Sequence, residues 1–375
     1  MNIFALQRRF SPLLHPIAAA YGAAMRLRAG RYREGVNIYR AACSVVSIGN
    51  ISWGGSGKTP VIEYLLGKTK GAGLRTAVLT RGYKATPPQL PFPVMPDSDP
   101  TFAGDEPLML ALRHPETLVV VDPKRSRSAS WVEKNDFPQL FLLDDGMQHL
   151  SMARDLDIVL LKPNDLLTGW NRVIPTGEWR EDKSALTRAD SFCVKASGAE
   201  QTALITAAQT RLEALERPLF FFDLLPNGLS RLVPPGGVPL DKIHDLGGAA
   251  YTFLCGTGNP DHVRQTVKSL LGKEPTYAHI LPDHYRYTAA DAQAVRQKNL
   301  PVVCTAKDAV KLSPLLPIFG DLPVWVLEVE AVFNRTLFSD TSFDVWWETK
   351  LARLLAVQSI SKNNVQKPDG TANLF

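Results

Sequence analysis

Cysteine is scarce. The 375-residue chain has four, Cys43, Cys193, Cys255 and Cys304, far apart and without a CxxC pair. That spacing excludes a disulfide framework and a cysteine-built zinc site, and predicts a reducing compartment. No apolar run reaches the ~18–20 residues that a membrane-spanning helix needs. There is no internal repeat of fixed period, which excludes solenoids and propellers. Glycine and proline number 26 and 28, too few for a collagen-like or low-complexity chain. What is present is ordinary for a globular protein: 45% apolar residues and a net charge of +5. The length predicts two domains. No nucleic-acid partner is expected.

The positive charge is gathered at one end. Residues 1–40 carry Arg8, Arg9, Arg26, Arg28, Arg31, Arg33 and Arg40 against a single acid, Glu34. Between Arg9 and Arg26 the chain is uncharged and mostly apolar. Pro12, Pro16 and the flanking arginines fit a secretory leader poorly. They fit better an interfacial helix within residues 1–35, its arginines on anionic lipid. A basic helix packed on the protein's own surface is the alternative.

Beyond it, short apolar β-branched runs alternate with helical stretches. Strands are expected at Cys43–Ile48, Arg75–Thr80, Thr117–Val121, Gln139–Leu143, Asp157–Leu161 and Ser191–Lys195. Continuous apolar strands of this kind belong to a parallel sheet covered on both faces. A second unit follows, with strands at Tyr251–Cys255, Leu300–Thr305 and Pro323–Leu327. Asn259-Pro260 reads as a helix start with Gly272 as its stop, and Thr288 to Asp291 as a capping box. The expectation is an α/β protein: a P-loop NTPase-like parallel-sheet domain over 36–216, a connector over 217–240, and a second, smaller α/β domain over 241–335. A C-terminal helix and loose tail complete it over 336–375.

The strongest motif is Ser52-Trp53-Gly54-Gly55-Ser56-Gly57-Lys58-Thr59, between a strand and a helix. It matches the phosphate-binding loop G-x-x-x-x-G-K-[ST], with Ser52 at the first glycine. Gly54, Gly55, Ser56 and Gly57 leave backbone N–H groups room to converge on phosphate oxygens. Lys58 supplies a positive charge toward the β- and γ-phosphates, and Thr59 a hydroxyl for Mg²⁺. Leu142-Leu143-Asp144-Asp145-Gly146 ends an apolar strand with two carboxylates. Adjacent strand residues face opposite ways. One of Asp144 and Asp145 is therefore placed for Mg²⁺, and the other for something else. Arg81 to Lys84 and Asp122 to Arg125 also follow strands, where loops line the ligand crevice, which puts Arg125 near phosphates. Gly104-Asp105-Glu106-Pro107 and Pro282-Asp283-His284-Tyr285-Arg286-Tyr287 are the other polar clusters. Gly256-Thr257-Gly258 lacks the third glycine of a dinucleotide fingerprint.

Together these segments resemble the tetraacyldisaccharide 4′-kinase family of lipid A biosynthesis. The matching stretches are Gly49 to Pro60, Arg81-Gly82-Tyr83, Gly104 to Pro107, Asp144 to His149, Asp283 to Tyr287, and Thr305 to Leu312. The family's own loop also lacks the first glycine. This chain departs from its usual form by Ser52 and Ser56 for threonines, and by Ala306 where an acid is more usual. The resemblance implies ATP- and Mg²⁺-dependent phosphorylation of the 4′-hydroxyl of a tetraacylated glucosamine disaccharide 1-phosphate. It places the enzyme peripherally on the cytoplasmic face of the bacterial inner membrane. It assigns proton acceptance to Asp105, oriented by His284. Tyr83, Glu106, Arg125, Gln148 and His149 resemble positions lining the site, with Arg125 a candidate for transition-state charge. Two rival readings stay open: a membrane-associated P-loop partitioning or regulatory ATPase, whose signature lysine falls here at Trp53, and a nucleotide-sensing module without catalysis.

Overall fold

The computed structural model describes residues 3–33, 35, 37–136, 138–234 and 241–365. Twelve strands form one sheet: β1 (Ser44–Asn50), β2 (Thr76–Thr80), β3 (Phe92–Val94), β4 (Leu118–Val121), β5 (Leu140–Asp144), β6 (Leu156–Leu161), β7 (Ser191–Lys195), β8 (Leu219–Arg231), β9 (Thr252–Cys255), β10 (Tyr277–Ile280), β11 (Val302–Thr305) and β12 (Val324–Leu337). Their order is β10-β9-β11-β12-β8-β7-β6-β1-β5-β2-β4-β3. All pairings are parallel except β12 with β8 and β3 with β4. Every residue of β1 is buried, as an apolar strand with helices on both faces requires.

The sheet has two ends, one carrying the glycine-rich loop and the other β9 to β11. The stretch expected as a connector is in its first part a strand: β8 runs thirteen residues and pairs antiparallel with the fourteen-residue β12. This ribbon joins both α/β units, and register shifts interrupt it between Leu327 and Val329 and between Phe333 and Arg335. Residues 235–240 of that stretch lie outside the described residues.

The C-terminal helix Phe343–Val365 returns to the first unit and continues past Ser359, where a loose tail was expected. Residues 366–375 lie outside the described residues. Phe343 stacks on Phe333, with centroids 3.8 Å apart. Phe343, Trp346, Trp347 and Leu351 share one core with Val46, Ile48 and Val61 around β1 and its following helix. Burying each such side chain contributes about 1.5–3 kcal/mol.

The N-terminal helix Ile3–Arg33 contains both prolines. It packs on the protein's own surface, the alternative reading of its sequence. One side docks: Ala18 is buried, Tyr21 packs on a core cluster, Arg26 pairs with Asp182, and Arg28 donates to the Gln148 carbonyl. The other side leaves Leu13, Ile17 and Leu27 exposed, at 75%, 56% and 72%.

Candidate active site

The carboxyl ends of β1, β7, β9 and β11 open into a cleft of about 360 Å³ between the two units. Gly55, Thr59, Lys195, His262, Thr305 and Lys307 are among its walls. Ligands bind in such crevices at the carboxyl ends of strands.

The loop after β1 is built as its composition demands. Gly54 and Gly57 hold positive φ values of 94° and 86°, and Gly57 caps the helix Lys58–Gly71. A Cβ on Gly57 would come within 3.0 Å of the Phe222 ring. Ser52 is buried and donates to Asp165 Oδ2 at 2.8 Å, while Trp179 Nε1 donates to Oδ1 of the same carboxylate at 3.0 Å. A serine at the first glycine position therefore ties the loop to the β6 side of the sheet. Ser56 Oγ is buried with no hydrogen-bond partner, and Gly54 and Gly55 are exposed, the surface a polyphosphate would complete. Lys58 Nζ donates to Asn50 Oδ1 at 2.8 Å and lies 3.5 Å from Asp145 Oδ1.

The two carboxylates after β5 differ in environment. Asp145 takes a left-handed φ of 53° and receives two hydrogen bonds from Arg180, at 2.8 and 2.9 Å. Burial pushes its pKa up, but Arg180 and Lys58 outweigh that and hold it well below the usual carboxylate range. Asp144 accepts from the Thr80 hydroxyl at 2.7 Å, and burial raises its pKa with only Lys58 as a main opposing charge. A buried carboxylate short of positive charge is a fit for a cation. Among the described residues no group of three or more His, Cys, Asp or Glu side chains forms a metal cage. Mg²⁺ needs only one or two protein oxygens and completes its shell with phosphate and water, so the Asp144 carboxylate and the Thr59 hydroxyl are donors of the kind it takes.

Asp105 and His284 meet where the two units touch. Gly104, with φ 82°, starts the helix Asp105–Arg113 and turns Asp105 to its front. His284 comes from a turn after β10 and itself has a φ of 61°, a costly conformation for a non-glycine residue. His284 Nδ1 donates to Asp105 Oδ2 at 3.1 Å, since a carboxylate can only accept. The Tyr83 ring lies 5.4 Å from the His284 ring, and Arg286 bonds the Thr101 hydroxyl, so both flank the contact. Lys307 Nζ reaches Glu106 Oε1 at 3.3 Å, His284 Nε2 at 3.4 Å and Asp283 Oδ1 at 3.6 Å.

The remaining expected residues divide. Gln148 donates to the Asn50 carbonyl at 3.2 Å, beside the loop. His149 bonds Ser151 at 3.2 Å, and burial lowers its pKa to about 4, aided by Arg125, Arg154 and Arg28. Arg125, at the start of the helix after β4, is 3% exposed and donates to the Asp144 carbonyl at 3.0 Å, beside the two carboxylates. Its side chain turns under the end of β5 from the first turn of the helix Arg125–Asn135, so it braces the strand behind the carboxylates. Arg180, Asn50, Thr80, Lys307 and Lys311 were given no role by the sequence. Only the two lysines left a signal, at i and i+4 within a matching segment.

A family model described as tetraacyldisaccharide-1-P 4′-kinase matches residues 10–343. The chain belongs to that family. The kinase is similar to the tetraacyldisaccharide 4′-kinase of Oleidesulfovibrio alaskensis, 43% identical over 96% of this chain and 100% of that one. It is 42% identical to that of Nitratidesulfovibrio vulgaris, over 94% and 98%. In three dimensions it resembles the Aquifex aeolicus enzyme crystallised in complex with ATP. That match has a TM-score of 0.71 and 26% identity, over 92% of this chain and 99% of that one. The kinase thus has the α/β, P-loop fold its sequence implied, binds ATP, and belongs to lipid A biosynthesis. No described helix is long and apolar enough to cross a membrane.

Proposed function

We propose that this kinase moves the γ-phosphoryl group of ATP onto the 4′-hydroxyl of a tetraacylated glucosamine disaccharide 1-phosphate, with Asp105 as proton acceptor. One observation carries the reading: the phosphate loop and the Asp105–His284 pair border one interdomain region, bridged by Lys307, which also lines the loop's cleft.

Lys58 and the amides of Gly54 to Thr59 hold the β- and γ-phosphates. Thr59 and Asp144 would hold Mg²⁺, which would supply charge neutralisation at the phosphates. Asp145, already engaged by Arg180 and Lys58, orients the lysine. Asp105 accepts the hydroxyl proton while the sugar oxygen's electron pair forms the new bond to the γ-phosphorus. The bond from that phosphorus to the bridging oxygen breaks, and its electrons leave with ADP. His284 Nδ1–H keeps Asp105 in place, and proton acceptance of this kind is worth about 10²–10⁴-fold. Tyr83, Glu106 and Gln148 line the approach.

The N-terminal helix lies on the inner-membrane surface, facing its exposed Leu13, Ile17 and Leu27 to acyl chains at the cytoplasmic side. A four-chain lipid would not leave the bilayer readily, so the enzyme meets it there.

The test is direct. The purified chain is incubated with ATP, Mg²⁺ and an acylated disaccharide 1-phosphate in detergent micelles. A lipid product heavier by one phosphoryl group is expected, and none from Lys58→Ala. ATP turnover without a phosphorylated lipid would overturn the reading.

A further inference from the structure

The helix Ala306–Leu312 carries two lysines one turn apart, with different surroundings. Lys307 is engaged by Glu106, Asp283 and His284. Lys311 is turned inward: its side chain is 6% exposed and its Nζ is buried without a hydrogen-bond partner. It lies 3.4 Å from Asp308 Oδ1 and 4.0 Å from Asp105 Oδ2, with the Tyr287 ring centre at 5.3 Å.

Neutralising Asp308 does not account for this arrangement. Asp308 is fully buried and already accepts from Gly256 N at 3.1 Å, the Tyr287 hydroxyl at 2.9 Å and the Thr305 hydroxyl at 2.7 Å. A carboxylate so supplied with donors is stabilised as the anion without a cation. An ammonium has three donors and no acceptor capacity, and burying it unbonded is costly unless it faces charge that uses it.

The contacts on Asp105 show what that use is. His284 Nδ1 and Lys311 Nζ both approach Oδ2, at 3.1 and 4.0 Å. One oxygen of the carboxylate is thus approached from two sides, and the two contacts together fix where the carboxylate sits.

We propose that Lys311 is a positioning residue for phosphoryl transfer: with His284 it pins Oδ2 of Asp105, so that the sugar hydroxyl meets the carboxylate at Oδ1. This rests on the assignment of Asp105 as proton acceptor. The other ionisable groups facing the pair are Glu106 beside Asp105, Asp283 on the far nitrogen of His284, and Lys307 between those two acids. Lys307 offsets the acids it touches, which leaves Lys311 as the cation that faces Asp105 itself.

The experiment compares kcat and the KM for ATP of the full chain with those of Lys311→Met, Lys311→Arg and Asp105→Asn. Assays use ATP, Mg²⁺ and tetraacyldisaccharide 1-phosphate in detergent micelles. In Lys311→Met kcat should fall about 10-fold or more, with the KM for ATP within about twofold, the split expected when only the transferring step is disturbed. Lys311→Arg, which keeps the charge and guards against a folding defect, should restore most of the lost kcat. Wild-type kcat in Lys311→Met, or a Lys311→Arg kcat as low as that of Lys311→Met, would overturn the proposal. Substantial turnover by Asp105→Asn would instead overturn the acceptor assignment beneath it.

Discussion

His284 Nδ1 donates to Asp105 Oδ2 across 179 residues of sequence, and the two residues come from opposite ends of a twelve-stranded sheet. This contact therefore exists only when both units are folded and docked. His284→Ala should lower kcat by about 10–100-fold and leave the KM for ATP nearly unchanged. In combination with Asp105→Asn it should cost little more than Asp105→Asn alone, because the histidine acts through the aspartate. Additive losses in steady-state assays would show that His284 acts independently.

Gly57→Ala tests the loop. The new Cβ would sit at a φ of 86° and 3.0 Å from the Phe222 ring. We expect a stability loss of about 1–3 kcal/mol and loss of measurable ATP binding by calorimetry. ATP affinity within twofold of wild type would mean that the loop tolerates a side chain there.

Arg180→Ala removes both hydrogen bonds to Asp145 and leaves that partly buried carboxylate to Lys58. Breaking one side of such a charged pair costs about 2–3 kcal/mol. Urea denaturation should register that loss without nucleotide, and kcat should fall as Lys58 is drawn onto Asp145. An unchanged unfolding midpoint would deny the pair its structural role.

His149 gives a pH signature. Its folded-state pKa is near 4, against an ordinary 6.5. Between those values the unfolded chain binds more protons than the native one, so stability falls as pH drops from about 6.5 toward 4 and levels off below. The loss from this residue is at most about 3 kcal/mol. His149→Asn should flatten that part of the stability curve relative to wild type, as read from urea unfolding at pH 7 and pH 4.5. Parallel curves would remove His149 as the cause.

The exposed apolar side of the N-terminal helix predicts lipid binding. Replacing Leu13, Ile17 and Leu27 together with glutamate should release the chain from anionic liposomes in a flotation assay. ATP binding should be retained, since these side chains lie away from the cleft. Equal flotation of both proteins would exclude this face as the anchor.

Much of this was legible because parallel strands buried on both faces are plain apolar runs. β7 has the bounds its sequence suggested, and the Asn259 cap, the Gly272 stop and the Thr288–Asp291 box all form. β3 was hidden because Pro93 sits in a three-residue edge strand, and β10 because three of its four residues are exposed. The ribbon was read short because Pro226, Asn227 and Gly228 interrupt β8, and its outer residues are only half-buried. Motif residues announced themselves through local spacing. Arg180 did not, since its partner lies 35 residues away.

The chain leaves the first unit along β8, builds the second, and comes back along β12 before Phe343, Trp346 and Trp347 seal the hydrophobic interior beside β1. His284 therefore belongs to a module spliced into a nucleotide-binding body that cannot be finished until the module has been synthesised. During translation, no complete ATP-gripping body emerges from the ribosome ahead of the turn that carries His284.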